Sequence, residues 1–371
     1  MIGAVKRTVA VMAFAAAGSA AIAALALASS SSPGAAPTGV QVFAGPPLKA
    51  PPAGVTHQAD ALAFFPRVTT ITAGQSVTFN ILGFHTVTFG SRSAFPLVLP
   101  SRTGKQPATN DAAGRPLWWS GAAPLLGLNP KAFPQLGGPT ISSPSQVRSS
   151  GLLRVFTASP SKPPKAYTLT FTKPGLYRYF CIVHAGMQGA IRVLPATATG
   201  PTPTQHQARI TAQIGTMIGE LKGIQSQNPT EPLTVWVGTG KLDGAEVTSF
   251  FPKRLTVNRG DTVKFVQHDP TDIHTVTFGP SAYTTQIEKT FASPKGLNPF
   301  GALPSEPPGP PGVPVPYDGT NHGNGYLNSG ILDPYTSKQA PHLFRVTFTR
   351  AGTYHFECVI HTNMDGTIVV R

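Results

Sequence analysis

Cysteine is nearly absent: the chain has two, Cys181 and Cys358, in 371 residues. That leaves one disulfide, Cys181–Cys358, as the simplest reading for an exported chain and excludes a fold stapled by several. Charge is scarce as well. Charged residues make up 12%, with 15 Asp and Glu against 29 Lys and Arg, and this basic balance bears on partners rather than on fold. Beyond the N-terminal region no stretch is apolar enough to span a bilayer. What abounds is Pro (39) and Gly (38), which break helices and make turns and so predict β-structure with long loops.

The N-terminus reads as an export signal. Lys6 and Arg7 precede an apolar run from Val9 to Ala28 that closes on Ala26-Leu27-Ala28, small residues suited to signal peptidase. Residues 1–28 are expected to be a signal peptide of a secreted, periplasmic or cell-surface protein. The alternative is an uncleaved N-terminal anchor, since a run of this length can cross a bilayer. No Cys lies near the cleavage site, which argues against a lipoprotein. Residues 29–38 form a low-complexity Ser/Ala/Pro/Gly tract.

The chain then repeats itself. Phe64-Phe65-Pro66-Arg67 returns as Phe250-Phe251-Pro252-Lys253, an offset of 186. His85-Thr86-Val87-Thr88-Phe89-Gly90 returns as His274-Thr275-Val276-Thr277-Phe278-Gly279, an offset of 189, so three residues are inserted between. Cys181, His184 and Met187 return as Cys358, His361 and Met364, each at an offset of 177. The repeated pieces alternate apolar and polar residues, are rich in Val, Thr, Phe and Tyr, and are separated by Gly-containing turns, which is strand and hairpin patterning. The expected fold is all-β: two tandem antiparallel sandwiches of Greek-key type at residues 39–195 and 232–371.

Between them, residues 196–231 read as a linker with a short helix. Ile210, Ile214, Met217, Ile218 and Leu221 recur at helical spacing over 204–224, and Thr204 with Gln207 fits a capping box. Gly215, Gly219 and Gly223 weaken such a helix, by about 1 kcal/mol each relative to Ala, unless they permit close packing. Residues 91–160 and 280–340 are Pro-, Gly- and Ser-rich insertions expected to be irregular loops over one end of each sandwich.

Cys-x-x-His-x-x-Met occurs twice, each copy after a strand and each with a partner His far upstream. A thiolate, two imidazoles and a weak axial thioether suit both Cu(I) and Cu(II), whereas Met is a poor ligand for zinc. A single Cys-x-x-His is a weak signal. The whole set, found twice, is a strong one, and the disulfide would leave both His/Met sets idle.

On these motifs both units resemble cupredoxins of the plastocyanin/amicyanin type. The short Cys-x-x-His-x-x-Met loop is like that of amicyanin. The resemblance covers both ends of each unit but not the insertions or the helix. It implies one type 1 copper per unit, held by His85, Cys181, His184 and Met187 and by His274, Cys358, His361 and Met364. It also implies that His184 and His361 are the solvent-edge electron ports. His57, His206, His268, His322, His342 and His355 are read as surface or structural, and Trp118 and Trp119 as either a contact patch or buried loop residues.

The function implied is electron transfer without catalysis. The alternatives are a two-domain copper enzyme of the multicopper oxidase or nitrite reductase type, and a copper-binding or storage protein. Against the enzymes, no His-x-His occurs, and the neighbours of the cysteines are Phe180, Ile182, Glu357 and Val359 rather than His. Residues 39–195 hold fourteen Lys and Arg against Asp60 and Asp111, a balance of +12, while residues 232–371 hold eleven of each sign. An acidic redox partner docking on the first unit is therefore expected, or else general adhesion to an anionic cell surface. No nucleic-acid partner is expected.

Overall fold

The computed structural model describes residues 39–371 except 49, 95–97, 153–165, 294–295, 308, 310–312 and 334–341. The proposed signal peptide and the tract after it lie outside the described residues.

Alternation of buried and exposed positions, as along Val68–Thr72 and Tyr167–Phe171, gives each strand one apolar face to bury. Four sheets form two sandwiches. In the first, one sheet runs Phe64–Phe65, Val40–Ala44, Ser76–Ile81, Tyr167–Phe171, Thr140–Ile141, and the other Arg148–Ser149, Thr88–Phe89, Gly175–Phe180, Gln188–Leu194, Val68–Thr72. In the second, one sheet runs Ala59–Ala61, Ala245–Phe251, Thr234–Gly240, Thr262–Gln267, Leu343–Phe348, Val315–Tyr317. Its partner runs Arg254–Val257, Asp365–Val370, Gly352–Glu357, Thr277–Phe278, Leu327–Asn328.

The sequence repeat is a repeat of packing. Phe79 meets Tyr179 edge-on at 5.2 Å, and Phe265 meets Phe356 at 5.1 Å. Phe64 on Tyr179 and Phe250 on Phe356 are each at 4.7 Å. Tyr177 donates its hydroxyl to the Lys173 carbonyl (2.8 Å), as Tyr354 does to that of Arg350 (2.9 Å). The Phe-Phe pair of each unit is thus buried in the core.

The sheets are mixed rather than antiparallel throughout, with Val40–Ala44 parallel to Ser76–Ile81 and Thr234–Gly240 parallel to Thr262–Gln267, and the structure departs from expectation again between the units. Strand Ala59–Ala61, which lies within residues 39–195, pairs with Ala245–Val247 and so extends a sheet of the second sandwich. The linker helix is long, Pro203–Ile224, and its capping box is Thr202 with Gln205, not Thr204 with Gln207. Pro203 accounts for the shift: lacking an N–H and with φ fixed, it is suited to the first helical position. Ile210, Met217, Leu221 and Ile224 pack on Ala61, Phe65, Val247 and Phe251, so the helix seals the seam between the sandwiches. Gly215, Gly219 and Gly223 do not serve close packing, because a methyl group at each would meet nothing within 4 Å.

The insertions are also more ordered than expected. The first carries a ribbon, Val98–Lys105 with Pro124–Leu128, and the second has helices Ser281–Lys289 and Pro299–Ala302. They pack on each other. Trp118 donates its indole N–H to the Pro304 carbonyl at 2.9 Å, and Trp119, fully buried, meets Phe300 edge-on. His322 lies between Asp111 of the first insertion (3.1 Å) and Glu306 of the second (3.0 Å).

Candidate metal centres

Local sequence delivers three of the four expected residues in each unit. Strand Gly175–Phe180 ends beside Thr88, and Cys181 follows at its tip. The Cys181 N–H donates to the Met187 carbonyl at 3.0 Å, closing a tight loop that carries His184. His85 precedes Thr88–Phe89, so the pairing of that strand with Gly175–Phe180 brings it to Cys181. Thr86 locks the junction: its N–H points at Cys181 Sγ (3.4 Å) and its hydroxyl accepts from the Ile182 N–H (2.8 Å). The second unit matches it contact for contact, with Cys358 N–H to Met364 carbonyl at 2.9 Å, Thr275 N–H to Cys358 Sγ at 3.4 Å, and Val359 N–H to the Thr275 hydroxyl at 2.9 Å.

The donor atoms converge. His85 Nδ1 and His184 Nδ1 are 3.0 Å apart, with His184 Nδ1 3.7 Å from Cys181 Sγ. His274 Nδ1 and His361 Nδ1 are 3.1 Å apart, and Cys358 Sγ lies 3.9 and 3.6 Å from them. An ion bonded at about 2.0–2.3 Å to three donors in a plane sets edges of roughly 3.5–4 Å; the sulfur–nitrogen edges match this, and the nitrogen–nitrogen edges are about half an ångström shorter. Met187 and Met364 are buried in the same core clusters as the cysteines. Both cysteines are free and buried, so no disulfide joins them.

The chemistry of the donor set also fits a cation. Burial opposes ionisation of each thiol, yet the hydrogen bonds and charges of His184 and His85 on Cys181, and of His274 and His361 on Cys358, hold both well below the ordinary thiol range. Two thiolate-imidazole clusters with imidazole nitrogens about 3 Å apart are poised to share a soft or borderline ion.

The two centres differ behind the upstream histidine. His274 Nε2 faces Asp269 Oδ2 at 3.1 Å, both side chains fully buried. A proton on Nε2 then donates to the carboxylate and leaves Nδ1 free to ligate. Asp269 also accepts from the Thr271 N–H at 2.7 Å. Burial pushes its carboxyl up, but His274 above all, then Glu246 and Thr271, pull it below its usual value. Glu246, with Asp269 and His274, offers atoms within 4.8 Å of one another. Burial, then the charge of Asp269, drives Glu246 well above its usual value. His85 Nε2, by contrast, is buried without a hydrogen-bond partner among the described residues. Gly238 (φ 65°) stands against His274: a Cβ there would come within 2.5 Å of His274 Nε2 and 2.9 Å of Asp269 Cβ.

The loop histidines are not at a solvent edge. His184 and His361 side chains are only 7% and 11% exposed, and they point towards each other across the seam. His361 Nε2 is 3.1 Å and His184 Nε2 3.7 Å from one atom, Asp272 Oδ2. The expectation of two exposed ports is corrected for this reason: the first unit's loop histidine abuts Asp272 of the second unit, the same carboxylate that His361 meets. Burial raises the Asp272 carboxyl, but His361 first, then His184 and His274, hold it far below the carboxylate range.

Asp269, Asp272 and Glu246 were not foreseen. The first two lie between Phe265 and His274, the interval that holds the three residues by which the second unit exceeds the first. The other histidines stand apart from the centres: His268 stacks on Trp236 at 3.9 Å, His57 on Phe251 at 5.3 Å, and His206 reaches the Gln41 carbonyl at 2.6 Å.

A Greek-key sandwich with His, Cys and His gathered at one end, the Cys at a strand tip and a Met closing its loop, defines the cupredoxin fold, and the chain contains it twice. No family model and no curated protein matches the chain. Similar solved structures include a purple cupredoxin from Nitrosopumilus maritimus (14% identity, TM-score 0.21, 37% of this chain and 98% of that one). Plastocyanin from Dryopteris crassirhizoma is 20% identical, with TM-score 0.19, over 37% and 99%. Auracyanin A, a "blue" copper protein from Chloroflexus aurantiacus, is 18% identical, with TM-score 0.23, over 37% and 96%. At such scores the site is read from its own geometry.

Proposed function

We propose that the chain is an exported two-domain blue copper protein that transfers electrons through one type 1 copper in each unit. The ligands are His85, Cys181, His184 and Met187 in the first and His274, Cys358, His361 and Met364 in the second. The observation that carries this reading is the twice-built triangle of two Nδ1 atoms and one Sγ, each beside a buried Met.

Bound copper would supply a one-electron couple. The protein's part is to hold the donors in a fixed arrangement that suits both oxidation states. The rigid sandwich fixes the upstream histidine, and the Cys–Met backbone bond fixes the loop. Thr86 and Thr275 N–H groups aim at the sulfurs and steady their negative charge. Burial of His85, Cys181, His274 and Cys358 keeps water from the donors.

Electron carriage is favoured over oxygen or nitrite reduction because neither Cys is flanked by His and no His-x-His pair exists to build a cluster. An acidic redox partner would meet the basic first unit at Arg92, which is exposed and donates to the Cys181 (2.7 Å) and His184 (2.9 Å) carbonyls. The same charge would favour an anionic cell surface.

Visible and EPR spectra with metal counted per chain test the reading. Two coppers and an intense thiolate-to-copper band are expected, with about half of the absorption lost in Cys181→Ser and the other half in Cys358→Ser, since each motif contributes one thiolate. One copper, or no blue band, overturns it.

A further inference from the structure

We propose that the two centres exchange electrons directly within the chain, through the contact His184–Asp272–His361 across the domain seam. This rests on the reading of both centres as copper sites. The resemblance read from the sequence implies that an electron leaves each centre by its loop histidine. Here each loop histidine has been given the other as its neighbour.

The geometry is close and single. Because the 3.1 Å and 3.7 Å contacts end on the same Oδ2, the two Nε2 atoms lie within about 7 Å of each other. If each imidazole binds its metal through Nδ1, each Nε2 keeps its proton; that of His361 is within hydrogen-bond reach of the carboxylate, and that of His184 stands 3.7 Å from the same oxygen. Electron transfer falls off steeply with distance, so a path of two imidazoles and one shared oxygen outcompetes any route through solvent. Atoms and charge balance simply: one centre is oxidised, the other reduced by the same electron, and the Nε2 protons stay in place.

The seam is built to keep this distance. The loop of the first centre docks on a turn of the second unit: a Cβ on Gly186 (φ 78°) would come within 2.6 Å of Leu242 Cδ2. Arg67 Nε pairs with Asp243 Oδ2 at 2.5 Å, and Asp243 Oδ1 accepts from the Gln188 N–H at 3.4 Å. Strand Ala59–Ala61 and the long helix join the same two bodies. A fixed distance is what internal transfer needs, and a protein using each port for an outside partner would have no use for burying both.

The test is pulsed one-electron reduction of the copper-loaded full chain, with the Cys181→Ser and Cys358→Ser variants as reference spectra. Redistribution between the centres at a rate independent of protein concentration is expected. In Asp272→Asn, which keeps the shape, and Asp272→Ala, that rate should fall about tenfold or more, which corresponds to about 1.4 kcal/mol. A second readout needs no copper: in the metal-free protein the Nε2 protons of both His184 and His361 should give slowly exchanging NMR signals that shift in Asp272→Asn. Blue bands with no internal redistribution, or with redistribution that scales with concentration, overturn the proposal while leaving the copper reading intact. A third, Asp272-dependent metal bound per chain would overturn it too, by showing the carboxylate to be a ligand. Absence of the blue bands would overturn the copper reading itself.

Discussion

Asp269 should make the second centre the weaker oxidant of the two. Its carboxylate accepts from His274 Nε2 at 3.1 Å in a fully buried pair, while His85 Nε2 has no hydrogen-bond partner among the described residues. A negative group behind the ligand raises its basicity and favours the more positive, oxidised metal. A hydrogen bond to a charged group is worth about 1.5–3 kcal/mol, and only the part that differs between oxidation states moves the potential. Taking about 1–3 kcal/mol, and about 59 mV per 1.4 kcal/mol for one electron, gives a rise of roughly 40–130 mV on removal. The perturbation must be made with care. Burial and, after it, the charge of Asp269 raise Glu246, so Asp269→Asn alone eases the second of these causes and leaves a carboxyl beside His274 that could take up the charge. The decisive protein is therefore Asp269→Asn combined with Glu246→Gln, with Glu246→Gln alone as the control for the loss of that carboxyl. Spectroelectrochemical titration of the double variant should show the second centre raised by that amount and the first unmoved. An unchanged or lowered second potential, or an equal shift at both centres, would refute the reasoning.

Three more outcomes follow from the same geometry. Gly215→Ala, Gly219→Ala and Gly223→Ala face open space on a helix, so each should stabilise the protein by about 0.4–1 kcal/mol in denaturant melts. His322 is held by Glu306 first and opposed by burial, with Asp111 adding support, so its pKa is raised on folding. Its contribution should then be complete below the unfolded value of about 6.5 and be lost as pH climbs through the raised folded value. The stability gap between wild type and His322→Gln, measured against pH, should close in that direction, and a gap that widens with rising pH would contradict the assignment. Reduction of an acidic acceptor by the first centre alone, in Cys358→Ser, should slow steeply with salt and lose most of that dependence in Arg92→Ala, as screening shortens from about 10 Å at 0.1 M to about 3 Å at 1 M. Equal salt slopes for Cys358→Ser and Cys181→Ser would remove the basic first unit from partner choice.

Much of this protein was readable from its sequence, because the signals were local or duplicated. Alternation along strands such as Tyr167–Phe171 depends on neighbouring residues only. Cys-x-x-His-x-x-Met places its members within one turn of chain, so Cys181, His184 and Met187, and their repeats, must share a place whatever the rest does. His85 and His274 are distant in sequence, and only their repeated setting tied them to the cysteines. Where two readings of a residue stayed open, the tertiary structure decided. The helix glycines face solvent rather than a domain, and of the paired tryptophans Trp119 is buried and Trp118 half-buried against the second insertion. The cap of the long helix moved to Thr202 because Pro203 fits the first turn. What no local pattern could carry is the seam. That His184 and His361 face each other over Asp272 and that Ala59–Ala61 joins the other unit's sheet depend on how two separately legible sandwiches are set against each other. That placement arises from packing between segments far apart in the chain, which a repeat records twice but does not orient.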